Sequence, residues 1–252
     1  MKKRIVILIS IFAISSCKVG RFIYYNFADI TDYKIFPSRT ITNDSNSVFY
    51  FSNKAKRNLV IKMKDGSSFE DYLAKNKTVI FLVIHNDTLK YENYFNGYKK
   101  ESVVASFSMA KSFTSFLIGC AIEDKYINSV NDPVTLYIPE LKKNGFDGVT
   151  VENLLQMTSG LDFNESYTNP FGHAATFYYG KNLEKSTLKL TLKNKPNEST
   201  DYVSGNTQLL GLILERVLKK KTISKYLEEK LWKKVGMEYN ASWSIDNKQN
   251  GI

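Results

Sequence analysis

The stretch VVASFSMAKSFTSFLIGCAIEDKYI, residues 103–127, limits the possible folds more than any other. Within it Met109, Phe113, Phe116, Leu117, Cys120 and Ala121 recur at steps of three and four, with further apolar residues between them. That period is helical, and apolar side chains on most faces call for burial beneath other elements. Two polar residues, Ser108 and Lys111, stand at its start one helical turn apart, and so share a face. A serine at a helix N-terminus lies where free N–H groups and the positive dipole end favour a developing oxyanion. The same setting disfavours an ammonium, so a lysine there is neutral often enough to take the serine proton. The plainer reading is a capping serine beside a structural lysine. S-x-x-K spacing also begins at Ser15 and Ser186, so spacing alone does not decide between the two.

The surrounding pattern is that of one sizeable globular body. The 252 residues are 43% hydrophobic, enough for a substantial core, and show no repeat or low-complexity tract. TVIFLVI and LKYENYF flank a His85-Asn86-Asp87-Thr88 turn and predict a β-hairpin. SVFYF and NLVIKM suit short strands, and SFEDYLAKN a short helix. Further on, TVENLLQM opens with a threonine cap and a glutamate in its first turn, with Gly160 expected to end that helix. NTQLLGLILERVLKKK and TISKYLEEKLWKKVGM read as two amphipathic helices, Asn206 capping the first. A hairpin followed by helices predicts an α+β fold, an antiparallel sheet flanked by a mainly helical block. The closing SWSIDNKQNGI reads as polar turn attached to no closing element.

The first residues differ in kind. Lys2, Lys3 and Arg4 precede the apolar run Ile5–Ile14, then Ser15, Ser16 and Cys17. The run is too short for a membrane span but fits a signal peptide over 1–16, and Ile14-Ser15-Ser16-Cys17 resembles a bacterial lipobox with Cys17 as the lipidated residue. An ordinary cleaved leader with an incidental cysteine is the alternative. The expectation is an exported, lipid-anchored protein of the bacterial cell envelope, at the periplasm or cell surface. Loss of the leader's three cations takes the formal charge from +10 to +7. An exported chain with scattered lysines and no basic motif points away from nucleic acid. Cys120, within the apolar helix, is expected as a packed thiol. His173 has no metal-ligand partner near it in sequence, and neither a metal nor a cofactor is expected.

Taken in order, the S-x-x-K helix at Ser108, TVENLLQMTSGL at Thr150–Leu161 and YVSGNTQLLG from Tyr202 resemble the serine β-lactamase-like family. That family holds class C β-lactamases, penicillin-binding D,D-peptidases, esterases and 6-aminohexanoate-dimer hydrolases. SGNTQLLG is most similar to the last group. The resemblance covers residues 78–237 and implies Ser108 as acylated nucleophile, Lys111 as its base and Tyr202 as proton shuttle. Where many members have Tyr-x-Asn, this chain has Tyr202-Val203-Ser204. Ser204 can still hydrogen-bond a substrate but lacks an amide, which favours a small-molecule amide or ester over a β-lactam.

The family also has a Lys/His-x-Gly strand that supplies an oxyanion donor and lines the substrate groove. No strand of that kind is expected after Gly205. The expectation is therefore a C-terminally truncated member with an incomplete sheet: a tether and N-terminal subregion over 17–75, and a hydrolase domain over 76–252. A catalytically defunct or binding-only envelope lipoprotein is the alternative function.

Overall fold

The computed structural model describes residues 18–25, 28–56, 61–248 and 251. Cys17 and the leader lie outside them. In chain order the helices are α1 (Lys18–Tyr25), α2 (Phe69–Lys75), α3 (Ala110–Glu123), α4 (Val134–Tyr137), α5 (Val151–Leu155), α6 (His173–Tyr179), α7 (Leu183–Thr187), α8 (Ser204–Leu218) and α9 (Ile223–Leu227). The strands are β1 (Ser38–Ile41), β2 (Ser52–Lys56), β3 (Ile80–His85), β4 (Thr88–Tyr94), β5 (Leu161–Asp162), β6 (Thr191–Leu192) and β7 (Ala241–Ser244). The fold is α+β, as expected. Among the described residues no helix is long and apolar enough to cross a membrane.

β3 and β4 form the expected hairpin, with Asn86 and Asp87 both at positive φ in the turn. Such a pair of left-handed residues matches the strand twist, and asparagine and aspartate tolerate it best. α2 covers one face of this sheet: Phe69 meets Phe81 edge-on, Phe81 meets Tyr91, and the buried Tyr91 hydroxyl donates to Glu70. The opposite face of β3 carries Ile80, Leu82 and Ile84, each 39–44% exposed. The sheet is not wholly antiparallel. β2 adds to β4 in parallel, giving the order β2-β4-β3. It begins one residue after SVFYF, whose aromatic residues Phe49, Tyr50 and Phe51 are exposed. Residues 58–60, the first half of the strand expected in NLVIKM, lie outside the described residues, and in the second half Lys62 makes only an isolated bridge to Ser68.

The helical block is organised by α8. Its Leu209, Leu210, Leu212, Ile213 and Leu214 are all buried, so the helix has apolar contacts on nearly every side. α3, α4, α5, α7 and α9 pack around it. α3 is buried on one flank through Leu117, Ile118, Cys120 and Ala121. Contrary to expectation, its other flank is open, with Met109 68% and Phe116 42% exposed. Cys120 is a packed thiol whose ionisation burial disfavours.

The chain's two ends meet. β1 pairs antiparallel with β7 over Ser38↔Ser244 to Ile41↔Ala241, so the first three residues of the segment expected as a free polar ending, 242–244, belong to a strand. Ile41 enters the core, and α1 packs on α6 through Phe22 against Tyr179 and a Lys18–Thr176 hydrogen bond. The 75/76 division is therefore crossed by pairing and packing. The join is secured by Glu228, a buried carboxylate just past α9. Burial alone would raise its pKa, but hydrogen bonds from Lys225, the Thr42 backbone N–H and Lys233 outweigh it and hold the carboxyl well below its usual value of 4.5. A lowered folded pKa gives stability that is complete above that usual value and is lost as pH falls through the folded one. Glu228→Gln should cost roughly 1–3 kcal/mol at pH 7, with the gap to wild type closing as pH falls below about 4, in thermal unfolding across pH.

Candidate active site

A 3-10 turn, Phe107–Met109, leads directly into α3 and carries Ser108 at its centre. Phe107, immediately before it, has φ 44°, a left-handed conformation that costs a bulky residue on the order of 1–3 kcal/mol. The bend leaves Ser108 exposed at the mouth of a cleft of about 540 Å³. Lys111, on the first turn of α3, donates from Nζ to Ser108 Oγ at 3.2 Å. The same Nζ lies 5.2 Å from the centre of the Tyr202 ring, which is 58% exposed. Ser108, Lys111 and Tyr202, 94 residues apart at the extremes, are thus gathered on one cleft. Its walls mix hydroxyls of Ser112, Ser115 and Thr207 with apolar Leu155, Met157 and Leu210.

Tyr202 is held by its chain neighbours. The Asp201 N–H donates to the Met157 carbonyl at 3.0 Å, and the Asp201 carboxylate pairs with Lys193 at 3.0 Å. Met157 itself sits at φ 61° just beyond α5, which ends at Leu155. Gly160 does not end that helix. At φ 73° it lets the chain pass residue 194, where a Cβ would stand 2.3 Å from the Asn194 carbonyl oxygen. On the other side of Tyr202, α8 starts at Ser204, with Val203 as its N-cap. Asn206 is not the cap. It is buried within the first turn, accepting from Ser159 Oγ and donating to Met157 Sδ.

Ser204 is fully engaged on its donor side. Its N–H and hydroxyl both donate to the Glu165 carboxylate, at 2.8 and 2.5 Å. The Tyr167 hydroxyl donates to Glu165 as well, and its phenol pKa is pushed up to about 12, by burial first and then by that carboxylate. Glu165 was not legible in the sequence, because its partner lies 39 residues away. Its one trace is that valine, at the cap of α8, has no side-chain acceptor. His173 is structural in its contacts: Nδ1 accepts from the Asn164 N–H and the ring stacks on Phe163. Among the described residues no cluster of histidine, cysteine and carboxylates is placed to hold a metal.

A family model described as Beta-lactamase matches residues 68–244, a span holding Ser108, Lys111 and Tyr202. The chain belongs to the beta-lactamase family. Its curated relatives include the 6-aminohexanoate-dimer hydrolase of Paenarthrobacter ureafaciens, 27% identical over 187 residues, covering 70% of this chain and 47% of that protein. Protein flp of Staphylococcus aureus strain MRSA252 is 28% identical over 149 residues, covering 56% of this chain and 28% of that protein. A solved Bacillus anthracis structure, provisionally assigned as a 6-aminohexanoate-dimer hydrolase, superposes with a TM-score of 0.77 at 23% identity. It covers 87% of this chain and 61% of that one, and shows that the β-lactamase-like fold is shared. The chain therefore spans about half the length of the first curated relative. It is a member of a serine hydrolase family, as its motifs led one to expect.

Within this beta-lactamase framework Gly205 lets α8 pack closely on Leu161 and Phe163, just before Glu165. An added Cβ would lie 2.5 Å from Leu161 Cδ2 and 2.6 Å from Phe163 Cδ2. Gly205→Ala should lower stability by about 1–3 kcal/mol through overpacking, read as a lower midpoint in thermal or urea unfolding.

Proposed function

We propose that the protein is an exported, lipid-anchored serine hydrolase that cleaves a small amide or ester through a Ser108 acyl-enzyme. The Lys111–Ser108 hydrogen bond, formed under the Tyr202 ring, carries this reading. Lys111 Nζ takes the serine proton as Oγ bonds to the substrate carbonyl carbon. The positive dipole end of α3 favours the negative charge that develops on the substrate oxygen. Tyr202 gives its phenolic proton to the leaving nitrogen or oxygen as the acyl bond breaks, and regains one from Lys111, so one proton passes from serine to leaving group. Water then bonds to the acyl carbon as the carbon–Oγ bond breaks, its proton passing by the reverse route to Ser108 Oγ, and the acid is released.

The curated relative's name supports an amide-directed activity. Ser204 adds a constraint: because its proton is given to Glu165, it serves a substrate as an acceptor, suited to an amide N–H. Export and anchoring rest on the leader and Cys17 in the sequence.

A fluorophosphonate probe should label the wild type at Ser108 and leave Ser108→Ala unlabelled. Equal labelling of both, or of neither, would overturn the hydrolase and favour the binding-only alternative. Lys111→Ala should slow labelling by about 100- to 10,000-fold, and Lys111→Arg should not restore it, since a guanidinium does not give up its proton near neutrality. Anchoring is checked separately. Cys17→Ser should move the protein from the membrane to the soluble fraction and abolish metabolic labelling with a fatty acid.

A further inference from the structure

Helix α8 begins without a cap of its own. Val203 holds the N-cap position in extended backbone and has no side-chain acceptor for the first N–H groups. Glu165 takes that role from 39 residues upstream, accepting from the Ser204 N–H through Oε2 and from the Ser204 hydroxyl through Oε1. A carboxylate there also faces the positive end of a 15-residue helix. The loop that bears it is itself braced on both sides. β5 pairs with β6 immediately before Phe163. Beyond Phe163, the Asn164 N–H donates to His173 Nδ1, and the Asn164 carbonyl accepts from the Ala174 N–H at the start of α6.

Tyr202 lies two residues before Ser204. On its other flank, the Asp201 N–H is fixed to the Met157 carbonyl. Between these two anchors the Tyr202 side chain is more than half exposed and is approached by Lys111 across its ring face. Packing from other elements thus restrains the ring little, and the backbone anchors must set its direction.

Resting on the Ser108 reading above, we infer that Glu165 is a positioning residue, a cap supplied in trans to α8 that aims the Tyr202 hydroxyl at the leaving group. It touches neither substrate nor the reacting atoms. It acts by fixing Ser204, and through it the peptide run 202–204. Misplacing a proton donor by about 1 Å costs on the order of 100-fold. The loss should therefore grow with the basicity of the leaving group, because a poor leaving group needs the tyrosine proton and a good one does not.

The test compares acylation of the full chain by phenyl acetate and by 4-nitrophenyl acetate, for wild type, Glu165→Ala, Glu165→Gln, Tyr202→Phe and the Glu165→Ala/Tyr202→Phe pair. Glu165→Ala should slow the phenyl ester about 10- to 100-fold and the nitrophenyl ester less than about 3-fold, with KM unmoved. The isosteric Glu165→Gln, which keeps one acceptor, should fall between wild type and Glu165→Ala. The double variant should be no slower than Tyr202→Phe alone. Equal losses on both esters, or additive losses in the double variant, would overturn the inference.

A second readout needs no turnover. In protein labelled with 3-fluorotyrosine, the fluorine signal assigned to residue 202 by its loss in Tyr202→Phe should move toward that of the free amino acid in Glu165→Ala, and part-way in Glu165→Gln. An unmoved signal would refute positioning whatever the chemistry at Ser108. Labelling of Ser108→Ala would refute the nucleophile and leave the fluorine result to decide Glu165 on its own.

Discussion

A helix with apolar contacts on nearly every side must be enclosed by whatever the rest of the chain can bring to it. α8 is that helix here, and α3, α4, α5, α7 and α9 are arranged around it. Burying a leucine or isoleucine side chain is worth about 1.5–3 kcal/mol, and α8 buries five in the six residues from Leu209 to Leu214. The site is a by-product of that enclosure. α3 reaches the core with Leu117, Ile118 and Ala121, which leaves its first turn, with Ser108 and Lys111, beside the start of α8. Tyr202 precedes that start by two residues, so packing α3 on α8 brings nucleophile, base and tyrosine together.

The polar part of the site shows a second logic. Its hydrogen bonds fix backbone more than they fix reacting groups. Met157 holds Asp201, Glu165 holds Ser204, and Asn206 holds Ser159 and Met157 from inside α8. Two residues adopt left-handed backbone next to the cleft, Phe107 before the nucleophile and Met157 beneath the tyrosine. Strain of this kind persists only where surrounding contacts over-determine it. At Met157 they include the Asp201 N–H on its carbonyl and the Asn206 amide on its Sδ.

How much of this the sequence revealed follows from the range of each interaction. The β3–β4 hairpin, the Thr150 cap and the Ser108–Lys111 pair are set by residues within a few positions, and they were legible. The β1–β7 pairing joins residues some two hundred apart, and β7 alone reads as polar turn. Asn206 was misassigned because asparagine near a helix start usually caps it, whereas here burial turns it inward. Gly160 was misassigned for a related reason: its positive φ serves a close passage against residue 194, not a helix end. The open flank of α3 was missed because periodicity counts apolar residues and cannot say which of them find a neighbour.

The meeting of β1 and β7 bears on how the molecule is made. Ser38–Ile41 leaves the ribosome early, yet its partner is translated about two hundred residues later. At about 5–20 residues per second, that interval is roughly 10–40 s. For all of it Ile41 has no strand to lie against. Closure of this pairing is thereby deferred until residue 244 has been made.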